Sequence, residues 1–68
     1  MTIHVALVSA HPTEADARRV LHTMPHDTPY LGVWLLPTHE NLGDRPEAHA
    51  FSDDAEPSDL THAGWERA

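Results

Sequence analysis

Apolar and polar positions divide the chain into five patterned stretches separated by polar connections. From Thr2 to Ser9 they alternate with period two: Ile3, Val5 and Leu7 on one face, His4, Ala6 and Val8 on the other. That is a strand with two fairly apolar faces, suited to an internal or parallel position. From Glu14 to Met24 the period changes to that of a helix, with Ala17, Val20, Leu21 and Met24 on one stripe. Thr13 is placed to cap this helix, Asp16 to reach back to it, and Glu14 and Asp16 to complement its dipole. Pro25 marks its end.

Tyr30 to Leu36 reads as a second strand: Leu31, Val33 and Leu35 on one face, and Tyr30, Gly32, Trp34 and Leu36 on the other. Gly32 marks either a bulge or a close approach of another backbone. Strand, helix and strand with short connections make a βαβ unit, with the two strands parallel and either adjacent or separated by one strand. Ile3, Val5, Leu7, Leu31, Val33 and Leu35 are assigned to the face under the helix. Glu47 to Ser52 alternates weakly and reads as a possible third strand. Ser58 is placed to cap a last helical turn over Asp59 to Trp65, which Gly64 weakens.

The expected fold class is therefore α+β, a small βαβ core with a possible third strand and a short C-terminal helical turn. Residues 1–52 form the core and residues 53–68 an acidic C-terminal segment. One helix cannot cover both faces of a two-stranded sheet. The second face needs either the folded-back C-terminal segment or another protein.

Charge changes this picture more than composition does. Eleven acids oppose four bases, all arginine, for a net −7 over 68 residues. Residues 1–39 carry three acids and two arginines, and residues 40–68 carry eight acids and two arginines. The acidity thus belongs to the C-terminal half and points to an acidic interaction surface. It argues against direct nucleic-acid binding, which needs a basic footprint. Acidity also serves solubility, and that is the competing account of it.

The chemistry-bearing residues form no expected active site. Cysteine is absent, so there is neither a disulfide nor a thiolate site. Seven histidines invite a metal reading, but Pro25 interrupts the His22 and His26 pair, and His4, His11, His39, His49 and His62 fall on separate elements. Ser9 and His11 lie at a strand end without a G-x-S-x-G frame or a glycine-rich phosphate loop. A chain this short walls off a pocket of ~300 Å3 with difficulty. We therefore expect no enzyme, no cofactor and no metal. No apolar run long enough to cross a membrane and no basic leader are present, which makes the cytoplasm the expected compartment.

The functional expectation is a small acidic protein-binding module. Its role would be that of an inhibitor or adaptor blocking a basic site on a partner, as phage-type inhibitors of host defence, nucleic-acid mimics and antitoxin-like proteins do. Its candidate contact residues are Asp44, Glu47, Asp53, Asp54, Glu56 and Asp59 for steering, with Phe51, Leu60 and Trp65 as apolar anchors. Trp65 has a second possible role, packing back beside Trp34. The alternative function is a structural subunit that homodimerises edge to edge or sits in a larger assembly.

Overall fold

The computed structural model describes residues 1–37 and 45–68. Its elements are β1 (His4–Leu7), α1 (Glu14–Val20), β2 (Tyr30–Leu35), β3 (Glu47–Phe51), α2 (Pro57–His62) and β4 (Glu66–Arg67). They build one four-stranded sheet in the order β1-β3-β2-β4, with every neighbouring pair antiparallel. β1 and β2 both run opposite to β3, so they are parallel to each other with β3 inserted between them. The parallel relation expected of a βαβ unit holds. The weakest strand of the sequence reading is an inner strand of the sheet, and β4 is an addition to that reading.

β3 suits the inner position because its side chains are small where space is short. Ala48 and Ala50 are fully buried on one face, and Ala50 packs there with Trp34 and Leu60. His49 and Phe51 occupy the other face, opposite Ala6 and His4 of β1. Alternation was weak in the sequence because both faces of this strand are buried.

The two helices cover opposite faces of the sheet. Ala17 of α1 joins Ala6, Met24 and Phe51 in one core, with Leu21 and Tyr30 packed against it. Leu60 of α2 joins Trp34 and Ala50 in the other, flanked by Ile3, Leu31 and Trp65. The C-terminal segment itself thus supplies the second cover and adds β4 to the sheet.

The face assignment of β1 is corrected. Ala6, not Val5 or Leu7, lies under α1, and Val5 and Leu7 remain 38% and 43% exposed. A strand with two apolar faces gives no internal signal for its orientation, and the smaller Ala6 admits a close helix. In β2 the expected bulge is present between Tyr30 and Gly32, and Gly32 has φ +100°. The extra residue puts Tyr30 in the α1 core while Trp34 faces α2, although strict alternation places them together.

The helix ends also differ from expectation. Thr13 caps α1, its Oγ1 accepting from the Asp16 N–H at 3.1 Å. The helix stops at Val20, because Leu21 turns out with ψ +52° and Met24 re-enters the core through a tight turn to the Leu21 carbonyl. Val20 is consequently 41% exposed. In α2, Glu56 takes the N-cap position and Pro57 the first turn, where a missing N–H costs nothing. Gly64, with φ +95°, terminates this helix: its N–H reaches the Thr61 carbonyl and the Trp65 N–H reaches the Leu60 carbonyl, the Schellman arrangement.

The position of Val20 makes a test of the corrected stripe. Val20→Asp should cost at most about 1 kcal/mol, mostly from an acid at a helix C-terminus. Leu21→Asp, which places a carboxylate against the α1 core, should cost about 2 kcal/mol or more. Urea melts of the two variants separate the positions; equal losses would mean that Val20 is packed.

Candidate functional site

Each of the four arginines is engaged within the protein. Arg18 Nε binds Glu14 Oε2 at 2.9 Å, its NH1 donates to the Thr28 carbonyl at 3.0 Å, and its guanidinium lies 4.8 Å from the Phe51 ring centroid. This side chain ties the α1–β2 connection to the sheet. Arg19 pairs with Asp16 at 3.4 Å. Arg45 pairs with Glu66 at 2.7 Å and donates to the carbonyls of Leu36 and Gly64 at 2.9 and 2.8 Å. Arg67 stacks over Trp34, 5.0 Å from its ring centroid. Positive charge is thus neutralised locally or held against aromatic faces, and the net negative field is left to the remaining carboxylates.

Those carboxylates do not gather into a single patch. Asp53, Asp54, Glu56 and Asp59 lie within seven consecutive residues at the β3–α2 turn. Glu47 begins β3 at the opposite end of the strand, about 15 Å away at a rise of ~3.3 Å per residue. Asp44 lies outside the described residues.

Three of the turn carboxylates have internal duties, Glu56 and Asp59 as the two halves of the capping box of α2 and Asp54 as a tie to the N-terminal strand. Asp59 Oδ2 accepts from the Glu56 N–H at 2.8 Å and so helps to start α2. Asp54 accepts from the Thr2 N–H at 2.9 Å, competes with the Thr2 carbonyl for the single proton of the Ser52 hydroxyl 2.8 Å away, and lies 3.9 Å from the N-terminal amine. These partners, the Thr2 N–H first and the Ser52 hydroxyl second, hold the Asp54 carboxyl below its ordinary range. The Ser52-Asp53-Asp54-Ala55 spacing signals such a turn, since a serine hydroxyl readily accepts from N–H groups two and three residues ahead. Asp53 and Glu47 are exposed and make no ion pair among the described residues.

The apolar anchors are corrected more strongly. Phe51 and Leu60 are fully buried, one in each core, so their side chains are unavailable to a partner. Leu60 reads as a surface anchor because nothing local shows the C-terminal segment folding back, and Phe51 because the weak alternation of β3 hides that both its faces are covered. Trp65 is half-buried and packs against the α2 core.

The polar groups near the ends of β1 do not form a nucleophilic site among the described residues. His49 is buried, its Nε2 2.8 Å from the His11 carbonyl and its Nδ1 2.8 Å from the Tyr30 hydroxyl. The carbonyl can only accept, so Nε2 donates to it, and in the neutral ring Nδ1 accepts from Tyr30. The His11 backbone, not its ring, is what the protein uses. Burial, and secondarily the Glu14 charge, raises the Tyr30 pKa above its ordinary value. Ser9 lines a shallow depression of about 290 Å3 with Val8, Arg45, Pro46 and Glu47. Arg45 there is already occupied. His22 and His26 both lie beyond the end of α1, so helical spacing does not pair them. No group of three or more potential metal ligands occurs among the described residues, and no described helix is long and apolar enough to cross a membrane.

No protein-family model, curated protein or solved structure matches this chain.

Proposed function

We propose that this protein is a small acidic protein-binding module, an inhibitor or adaptor that docks on a basic surface of a partner protein. The observation that carries this reading is the internal engagement of all four arginines, which leaves the β3–α2 turn acidic with no arginine against it. Asp53 and Glu56 are the steering charges of choice, because they are exposed and belong to no ion pair among the described residues. Asp54 and Asp59 add to the field while holding the turn in shape. The exposed part of the half-buried Trp65 supplies contact area. Occupying a basic nucleic-acid channel is one form that such blocking takes.

The steering charges set the test. The tagged chain is used to capture proteins from lysate, and the captured protein is then purified for association kinetics. Asp53→Lys combined with Glu56→Lys should slow association about tenfold at low salt, with a smaller change in dissociation. Raising the salt should reduce the wild-type rate toward that of the variant, because screening acts within ~8 Å at physiological ionic strength. Trp65→Ala should act mainly on the dissociation rate. A captured partner whose association ignores both salt and the double reversal would overturn this reading and leave the acidity as a solubility device.

A further inference from the structure

We propose that the outer edge of β1 is a homodimer seam, on which a second copy of this chain pairs β1 to β1 in antiparallel register about Val5. This inference is independent of the acidic turn and of any foreign partner. β1 is a terminal strand of the sheet, and among the described residues nothing pairs with its outer side. The hydrogen bond from the Val8 N–H to the Glu47 carbonyl at 2.9 Å fixes which residues of β1 face β3. By alternation His4, Ala6 and Val8 bond inward, so the backbone groups of Val5 and the N–H of Leu7 point outward. Among the described residues, three of the four exposed large apolar side chains, Met1, Val5 and Leu7, belong to this same N-terminal stretch.

What identifies the occupant is self-complementarity. A two-fold axis through Val5 sets Val5 against Val5 of the second copy, Ile3 against its Leu7, and Leu7 against its Ile3. The apolar side chains then continue in one row across the seam, on the face that α2 covers. His4 falls opposite Ala6, so no like charges meet. From Met1 to Leu7 there is no arginine, aspartate or glutamate. Charged side chains, proline and bulges are the usual protection of an edge, and β1 has none of them. A strongly charged peptide would find no complement here, whereas a second neutral β1 does. The result is a continuous eight-stranded sheet.

Two copies at −7 each repel over the rest of their surfaces. Self-association should therefore be weak and strengthened by salt, opposite in sign to docking on a basic partner. The salt response thus separates failure of this proposal from failure of the proposed function.

The test is sedimentation velocity on the full chain from low-micromolar to near-millimolar concentration, with amide hydrogen exchange at both extremes. We expect a monomer–dimer equilibrium that shifts toward dimer as salt rises. We also expect at least about tenfold slower exchange at the Val5 and Leu7 amides in the dimer, beyond any change at Ala6, which already bonds within the sheet. Val5→Lys should abolish the dimer while keeping the monomer folded, since Val5 is partly exposed; Val20→Lys, an exposed position on α1, should not. A monomer at every concentration overturns the proposal. So does a dimer in which the Val5 and Leu7 amides exchange as before or which Val5→Lys leaves intact. Protection of those amides by a foreign basic protein, without self-association, would assign the edge to that protein instead and equally overturn it.

Discussion

Trp34→Ala should remove about a third or more of the stability of this protein. Trp34 is 1% exposed, stands in the second core with Ala50 and Leu60, and donates its indole N–H to the Leu31 carbonyl at 2.9 Å. Truncating a buried tryptophan costs about 3–5 kcal/mol, more where the site cannot collapse. Its neighbours on β3 are Ala48 and Ala50, which have no side-chain length with which to fill the gap. The Arg67 guanidinium would lose the ring it rests on, and with it an attachment of β4. A domain of this size has a total stability of only about 3–10 kcal/mol at typical per-residue values. Urea denaturation followed by Trp65 fluorescence and far-ultraviolet dichroism measures the loss. A cooperative transition within about 1 kcal/mol of wild type would show that the second face is not a true core.

Ser52→Ala should be the second most damaging change, at about 2–3 kcal/mol. The Ser52 side chain is 1% exposed, and its hydroxyl joins three parts of the chain. It accepts from the Ala55 N–H at 3.0 Å, and its single proton is shared between two acceptors, the Thr2 carbonyl at 2.6 Å and Asp54 Oδ1 at 2.8 Å. Alanine would leave the Ala55 N–H and the Thr2 carbonyl without this partner, and a buried unsatisfied polar group costs about 1–3 kcal/mol. The substitution also removes one of the hydrogen bonds that lower the Asp54 pKa. A carboxyl whose folded pKa is depressed contributes stability above its unfolded pKa and loses it as pH falls through the folded value. Wild type should therefore lose stability as pH drops below about 4, and Ser52→Ala should lose less over the same window. Melts at pH 7 and at pH 2–3 test both parts. An unchanged pH response in the variant would mean that Asp54 is held by the Thr2 N–H alone.

Local signals in the chain were strong where one residue sets one geometry. Thr13 as a cap and Gly32 as a bulge act through their own side-chain or backbone chemistry, whereas Pro25 did not set the helix end, which falls at Val20. Gly64 and Pro57 are equally local, but their meaning reverses with helix register: in a helix begun two residues earlier than expected, Gly64 becomes a terminator and Pro57 a starter. The acidic candidates were legible as charge, not as structure. Composition reveals that carboxylates are in excess; it does not say that Asp54 binds Thr2, fifty-two residues away.

From the amino-acid order alone follow the two parallel strands around a capped helix, the acidic C-terminal half and the need for a cover on the second sheet face. These depend on periodicity, capping and charge, which neighbours in sequence determine. Tertiary structure decided the insertion of β3 between β1 and β2, the commitment of Phe51 and Leu60 to opposite cores, and the face that β1 turns to α1. The physical reason is the same in each case. Strands apolar on both faces can be read in either orientation, and only the volumes meeting across the sheet, alanines against Trp34 and Ala6 beneath α1, select between them.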